Sequence, residues 1–294
     1  MIPLPRDLNI YQTIKCNFKC SFCSRKYNPV PVVKDFDRDM VVEVLARFPI
    51  ETCCIAGFGE PLCSETVFDV VRRLNEVSIF PSIITNGSLI MDRWEEISKA
   101  RLLYVNISLN SPVRQRHAGL TGTGAFDNVI EGMENLVSLG KFPVTVSMVV
   151  FRNNYKEIPE FIKLVTSMGI KKAVLINSLP YNEKAVGGIL TDKDKEIIEA
   201  FESMKTLPGA ESISWPRLLK AAPDGICDSP WKSIGVDGNG NITGCRRVKG
   251  PCADNGNIIF DSHIWEERYI TALRSDVKAG KGSCEKCFGN YRFI

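Results

Sequence analysis

Three cysteines near the start of the chain carry the most specific chemical signal in its sequence. Cys16, Cys20 and Cys23 have the spacing Cys-x-x-x-Cys-x-x-Cys, and an aromatic residue, Phe22, stands directly before the third. Four thiolates normally hold an iron–sulfur cluster. Three closely spaced thiolates can hold a four-iron cluster with one iron open to a substrate or cofactor, as in catalytic metal sites. The triad alone could also bind zinc.

Four cysteines near the C-terminus form a second candidate metal site. They are Cys227, Cys245, Cys284 and Cys287, and the last two form a Cys-x-x-Cys pair. Four thiolates suit either a structural zinc ion or a fully ligated iron–sulfur cluster. The spacing of these cysteines is compatible with both interpretations.

The four other cysteines have no such spacing. Cys53 and Cys54 lie in an apolar stretch, where cysteine packs as a small hydrophobe. Packing is also the interpretation for Cys63. Cys252 follows Gly250 and Pro251, close to the second group, and is either a spare ligand or a reactive thiol.

The chain has two histidines, and we interpret both as packing or surface residues rather than catalytic bases. They are His117 and His263. His117 follows a predicted strand, so it could also line a cavity.

Composition limits the classes of protein to consider. The chain has 294 residues, of which 44% are hydrophobic, and a net charge of +3. No basic cluster indicates nucleic-acid binding, and no apolar run approaches the roughly 18 residues that span a bilayer. No signal peptide is apparent at the N-terminus. We therefore expect a cytoplasmic protein, in which eleven cysteines favour metal binding over disulfides.

Strand-like and helix-like patterns alternate over the first 180 residues. About six such units with strongly apolar strands predict a parallel sheet covered by helices. Six units favour an open, partial (β/α)6 TIM-like barrel, with its chemistry at the carboxyl ends of the strands. Short strands and a hairpin at 234–243 indicate a change of organisation near the C-terminus. The predicted domains are 1–190, a linker helix region at 191–225, and 226–294.

Three short motifs follow the second, third and fourth predicted strands. They are Gly57-Phe58-Gly59-Glu60-Pro61, Thr85-Asn86-Gly87 and Ser108-Leu109-Asn110. Glycine permits close approach of a ligand, and the Glu60 carboxylate suits a cation. Each motif alone is a common kind of turn.

Taken in chain order with the cysteine triad, these motifs resemble those of the radical S-adenosylmethionine (radical SAM) superfamily. The resemblance implies that the triad binds a [4Fe-4S] cluster and that the strand-end motifs contact SAM. Asn110 stands where relatives usually have aspartate. The implied SAM-binding residues are Phe22, Gly57, Gly59, Glu60, Pro61, Thr85, Asn86, Ser108 and Asn110.

The resemblance also implies a reaction. The amino and carboxylate groups of SAM chelate the open iron, and the reduced cluster cleaves the sulfonium. The resulting 5′-deoxyadenosyl radical abstracts hydrogen from a C–H bond, while the protein positions that bond and excludes quenchers. A flavodoxin or ferredoxin would supply the electron.

The second cysteine group resembles the SPASM/twitch extension of radical SAM proteins. The resemblance implies an auxiliary [4Fe-4S] cluster bound by Cys227, Cys245, Cys284 and Cys287, in a small C-terminal domain. Such a cluster would transfer electrons or position substrate. The protein would then hold two clusters.

The expected substrate is a small polar molecule, of carbohydrate or aminoglycoside type. Epimerisation, as in antibiotic biosynthesis, is favoured because Cys252 could return a hydrogen atom to the opposite face of the substrate radical. Dehydrogenation of an alcohol and modification of a ribosomally made peptide are the alternatives. Activation of a glycyl-radical partner is less favoured, and a non-enzymatic zinc or scaffold protein is the outermost possibility.

Overall fold

The computed structural model of the chain is built around one open sheet. The structure describes residues 3–26, 32–178, 188–218, 227–245, 251, 253–261, 263–266 and 268–279. Predictions for Cys252, Cys284 and Cys287 lie outside these residues.

The sheet has nine strands in the order β7-β6-β5-β4-β3-β2-β1-β8-β9. Every neighbouring pair is parallel except β8 and β9, which form an antiparallel hairpin. The strands are β1 (Asp7–Tyr11), β2 (Thr52–Ala56), β3 (Ser82–Thr85), β4 (Val105–Ser108), β5 (Val144–Val150), β6 (Ala173–Asn177), β7 (Ile213–Ser214), β8 (Ser233–Asp237) and β9 (Ile242–Thr243).

Helices connect the parallel strands and bury their apolar faces. The helix α2, for example, places Val67, Val70 and Leu74 in the core, each fully buried. The helices are α1 (Arg38–Arg47), α2 (Val67–Glu76), α3 (Trp94–Lys99), α4 (Arg114–Thr121), α5 (Phe126–Leu139), α6 (Ile158–Ser167), α7 (Lys195–Met204), α8 (Ser229–Lys232) and α9 (Arg268–Ala279).

The predicted α/β class is confirmed. β1 to β6 are the six expected strands, they are parallel, and the sheet does not close, which gives a partial barrel. The pattern of apolar residues predicted these elements correctly. Strands such as β1, β2 and β6 bury every second residue, and helices such as α2 bury one face.

The sequence did not predict α4. This helix, Arg114–Thr121, buries only His117 and Thr121, so it has no apolar stripe from which a helix could be recognised. It ends at Gly122, whose φ of 70° lies in the left-handed region that favours glycine. The two-residue strand β7 was also missed because it is too short to show a period.

The predicted hairpin near residues 234–243 is confirmed as β8 and β9. β8 lies beside β1, with Leu8 opposite Ile234 and Ile10 opposite Val236, so the first strand of the chain has a neighbour on each side. Its turn also touches the segment before α1, since the Lys34 N–H donates to Asn239 Oδ1 at 3.2 Å. The predicted C-terminal unit therefore shares its sheet with the barrel.

Candidate functional site

The loop that carries the cysteine triad begins where β1 ends. Parallel strands present their carboxyl ends at one edge of the sheet, so this loop lies at the same edge as the turns after β2, β3 and β4. Cys16, Cys20 and Cys23 are all half-buried. The Phe18 N–H donates to Cys16 Sγ at 3.4 Å, and the Cys23 N–H donates to the Cys20 carbonyl at 3.2 Å.

The electrostatics of the triad suit metal binding. Burial, with smaller contributions from the nearby Cys23 and Cys16, raises the pKa of the Cys20 thiol to about 12. Burial also raises the pKa of Cys16, and Glu60 contributes in the same direction. Ionising Cys16 and Cys20 side by side without a counterion is costly, whereas bound metal cations stabilise thiolates. The donor set therefore fits a positively charged metal group.

Within the described ranges, no three His, Cys, Asp or Glu side chains gather around a single point that could hold one metal ion.

The turn after β2 packs tightly against the cysteine loop. A Cβ on Gly59 would lie 2.3 Å from the Lys15 carbonyl oxygen and 2.4 Å from that of Thr13, so only glycine fits. The Glu60 N–H donates to the Lys15 carbonyl at 2.8 Å. At Gly57, a Cβ would approach the backbone of Tyr11 to 2.8 Å. The two glycines thus let the turn approach β1 and the start of the loop.

Glu60 joins this turn to the end of β3. Its side chain is buried and accepts hydrogen bonds from the Thr85 hydroxyl at 2.6 Å, the Asn86 N–H at 2.6 Å and the Leu62 N–H at 3.1 Å. Burial raises the pKa of Glu60 to about 7, although these three hydrogen bonds lower it. The sequence predicts that Glu60 binds a positively charged group of the ligand. In the structure, the Glu60 carboxylate instead connects the turn after β2 to the end of β3. Pro61 is buried beside it.

Asn86 links the turn after β3 to the cysteine loop. Its Nδ2 donates to Asn17 Oδ1 at 2.8 Å, and Asn17 Nδ2 donates to Ser88 Oγ at 2.8 Å. The Cys63 thiol donates to the same Asn17 Oδ1 at 3.8 Å, so Cys63 lies against the loop rather than in the core. Sequence reasoning missed Asn17. Its position directly after Cys16 was the only available signal.

The fourth motif, after β4, is joined to β5. Asn110 is buried, and its Oδ1 accepts from the Val149 N–H at 3.1 Å. Ser108 is half-buried and pairs with Ser147 of β5. Phe22 packs against Phe151, just beyond β5, with ring centroids 5.3 Å apart. The predicted SAM-contact residues other than Phe22 therefore lie at the ends of neighbouring strands. The side-chain oxygen of Asn110 is hydrogen-bonded to the backbone of β5.

A small pocket lies at the same edge, between the ends of β1 and β8. Aromatic and apolar side chains form most of its wall, and Asp237 ends β8 beside them. Phe58, from the turn after β2, packs on Tyr11 with ring centroids 5.2 Å apart. The lining residues are Tyr11, Thr13, Ile14, Val33, Phe58, Asp237 and Pro251.

The second cysteine group is only partly described. Cys227 precedes α8 and Cys245 follows β9, and both are half-buried. Cys252, Cys284 and Cys287 lie outside the described residues. The auxiliary cluster therefore stays a prediction.

The two histidines differ in their surroundings. His117 in α4 is fully buried between Phe18 and Phe126, with ring centroids 6.2 Å and 5.5 Å away, and neither ring nitrogen has a hydrogen-bond partner. Burial lowers its pKa. His263 is exposed. The structure places His117 in apolar packing, away from any acceptor that would orient a base.

The cysteine triad and the turns after β2, β3 and β4 lie in the part of the chain that matches a known protein family. A family model for the radical SAM superfamily matches residues 10–165. This chain belongs to the radical SAM superfamily, for which SAM and an iron–sulfur cluster are the expected cofactors.

Archaeal relatives share much of this region. A protein of Saccharolobus islandicus named probable GTP 3′,8-cyclase is 31% identical over 201 residues, which cover 67% of this chain and 65% of the relative. A Pyrococcus abyssi protein of the same name is 31% identical over 160 residues, or 53% of this chain and 52% of that protein. This chain thus spans about 65% of the length of the first of these relatives.

Solved structures share the fold at low sequence identity. SuiB from Streptococcus suis, bound to its precursor peptide SuiA, has a TM-score of 0.72 and 16% identity, covering 98% of this chain and 72% of SuiB. The structure titled anSMEcpe with bound AdoMet and a Cp18Cys peptide has a TM-score of 0.70 and 21% identity, covering 96% of this chain and 86% of that one. Within the described ranges, no helix is long and apolar enough to cross a membrane.

Glu60→Gln should destabilise the cluster-free protein. The amide would turn an N–H₂ toward one of the donors that Glu60 now accepts from, and leaving a buried donor unpaired costs about 1–3 kcal/mol. Urea unfolding would measure this loss, and Glu65→Gln, at an exposed position, should change nothing. An equal midpoint for wild type and Glu60→Gln would contradict the role of Glu60 as a link.

The free energies of unfolding of wild type and Glu60→Gln should depend differently on pH. The pKa of Glu60 is raised from 4.5 to about 7, so the folded protein holds a proton that the unfolded chain has released. Its contribution to stability is complete below pH 4.5 and is lost as the pH rises to about 7. The free energy of unfolding of wild type, relative to that of Glu60→Gln, should therefore fall over that interval. A difference that stays constant would show that Glu60 has an ordinary pKa.

His117→Leu should leave the enzyme active and raise its free energy of unfolding by about 1 kcal/mol, because an unpaired buried polar group is replaced by an apolar one. His263→Leu is the control and should have little effect. Retained iron together with lost 5′-deoxyadenosine formation in His117→Leu would instead assign His117 a chemical role.

Proposed function

We propose that Cys16, Cys20 and Cys23 bind a [4Fe-4S] cluster whose open iron binds SAM, and that the enzyme abstracts hydrogen from a C–H bond of a small polar substrate. One observation carries this proposal. The cysteine loop is hydrogen-bonded to the turns after β2 and β3, through Lys15 and Asn17, so the triad and the motifs in these turns are held together.

When bound, the cluster and SAM supply the electron transfer and the radical that starts the reaction. The protein groups have the tasks of binding and orientation. Glu60 would fix the turn that is expected to face SAM, and Asn86 would hold the cysteine loop against the turn after β3. Phe22 with Phe151 would form an apolar wall that excludes water. Ser108, Thr85 and Asn110 complete the expected SAM-contact edge.

We propose epimerisation as the outcome, with Cys252 as hydrogen donor. The support is positional, since Pro251, the preceding residue, lines the pocket with Phe58 and Tyr11 at the carboxyl edge of β1. The Cys252 S–H bond would break as a new C–H bond forms on the opposite face of the substrate. The resulting thiyl radical then needs one electron and one proton to regenerate the thiol.

The second cysteine group would supply that electron. In this proposal Cys227, Cys245, Cys284 and Cys287 hold an auxiliary [4Fe-4S] cluster, which a flavodoxin or ferredoxin keeps reduced. A small C-terminal SPASM/twitch-type unit that shares its sheet with the barrel, through β8 and β1, would place this cluster near the substrate.

A second candidate is cyclisation of a purine nucleotide. It is favoured by the 31% identity over 201 residues to proteins named probable GTP 3′,8-cyclase. In this proposal the same radical would start the reaction. The name of the relatives indicates that a new bond forms within the substrate, so Cys252 would not be needed as a hydrogen donor. Dehydrogenation and peptide modification follow as further outcomes of the same initiating step.

Replacing Cys16, Cys20 and Cys23 with alanine, singly, should abolish 5′-deoxyadenosine formation, because each removes a ligand of the SAM-binding cluster. Iron content and 5′-deoxyadenosine are measured after anaerobic reconstitution with dithionite. Cys63→Ala is the matched control, since Cys63 lies against the same loop without belonging to the triad, and it should keep both. SAM cleavage that persists in the triad variants would refute the assignment.

Cys252→Ala should still form 5′-deoxyadenosine, but its product should contain no deuterium from the solvent. Wild type in D₂O, tested with aminocyclitol and aminoglycoside substrates, should place one deuterium at the inverted carbon. The same reactions with GTP test the second candidate, because a cyclised product that Cys252→Ala still forms would favour cyclisation. Inversion that survives in Cys252→Ala would place the donor elsewhere, and loss of iron would make Cys252 a ligand.

A further inference from the structure

The cysteine loop is anchored on a second side, by the last turn of α4. The Lys19 N–H donates to the Thr121 carbonyl at 2.9 Å, and the Ser21 N–H donates to the Leu120 carbonyl at 2.8 Å. Lys19 and Ser21 are the neighbours of Cys20 in the chain. The backbone is therefore hydrogen-bonded to one helix end on both sides of Cys20.

Side chains strengthen this contact. Phe18, two residues before Cys20, is 7% exposed and packs edge-on against His117 of α4. The other end of α4 is held in place, since Arg116 forms an ion pair of 2.8 Å with Glu157. The helix is thus a fixed support rather than a passive neighbour of the loop.

Gly122 sets how close the loop and the helix can come. A Cβ at this position would lie 3.2 Å from both Lys19 Cβ and the Lys19 carbonyl oxygen. Gly140 ends α5 in the same left-handed conformation, with φ of 62° against 70° for Gly122. At Gly140, however, the nearest atom to an added Cβ is 4.0 Å away.

We propose that the last turn of α4 is a positioning element that holds Cys20 and keeps the reduction potential of its cluster low. Two effects act in the same direction. The amides of Lys19 and Ser21 donate to α4 and are not available to the sulfurs, and hydrogen bonds to sulfur are one determinant of the potential. The carbonyl end of a helix also carries partial negative charge, which opposes the addition of an electron nearby.

A low potential makes the reduced cluster a stronger reductant, as SAM cleavage requires. The inference rests on the proposed assignment of Cys20 to the cluster. The residues of this contact are not among those that line the pocket beside β1, so binding of a substrate in that pocket should not respond to them.

The test compares Gly122→Ala with Gly140→Ala in the full chain. Both substitutions strain a left-handed glycine, but only the first pushes on Lys19. In the cluster-free protein, hydrogen exchange at the amides of Lys19 and Ser21 should be at least about tenfold faster in Gly122→Ala, and unchanged in Gly140→Ala. After reconstitution, the potential of the SAM-binding cluster, followed by electron paramagnetic resonance, should shift to more positive values only in Gly122→Ala.

If Gly122→Ala does not fold, Gly122→Asn and Gly140→Asn replace the pair, because asparagine adopts the left-handed region more readily. Equal exchange rates in the two variants would overturn the anchoring role, and equal potentials would overturn the electronic one. Failure of the proposed function is a separate result. A wild-type protein that binds no cluster would refute that function and the electronic role, while the exchange rates would still decide whether α4 anchors the loop.

Discussion

The buried carboxylate of Glu60 is the constraint on which the arrangement of the site depends. It accepts from the Thr85 hydroxyl and the Asn86 N–H at 2.6 Å each, and so fixes the ends of β2 and β3 relative to one another. Its own N–H holds the Lys15 carbonyl, one residue before the first cysteine of the triad. A carboxyl group with its oxygens bonded to the protein serves as a structural bridge beneath the ligand site.

The cysteine loop is held between two supports of different kinds. On one side, the side-chain amides of Asn17 and Asn86 are hydrogen-bonded to each other. A contact between two side chains tolerates small changes in the distance between their backbones. On the other, backbone amides beside Cys20 bind the carbonyls at the end of α4, which leaves little freedom. A loop without regular structure can thereby present three thiols at defined positions, as catalysis by preorganised groups requires.

The C-terminal part of the chain contributes to the same sheet as the triad. β8 lies beside β1, and Pro251 reaches the pocket that Tyr11 and Phe58 line. The first strand therefore carries the cysteine loop at its end and a later part of the chain at its side. This topology brings residues over two hundred positions apart in sequence, such as Tyr11 and Pro251, to one pocket.

The fold class and the cysteine triad could be predicted from the sequence alone. Apolar residues mark β1 to β6, and thiol spacing marks Cys16, Cys20 and Cys23, because both are local patterns. The partners of Glu60, the contacts of Asn17 and the helix α4, which has no apolar stripe, became visible only in the folded chain. The physical reason is that these features depend on which loops meet in space, and hydrogen bonds between distant loops leave no period in the sequence.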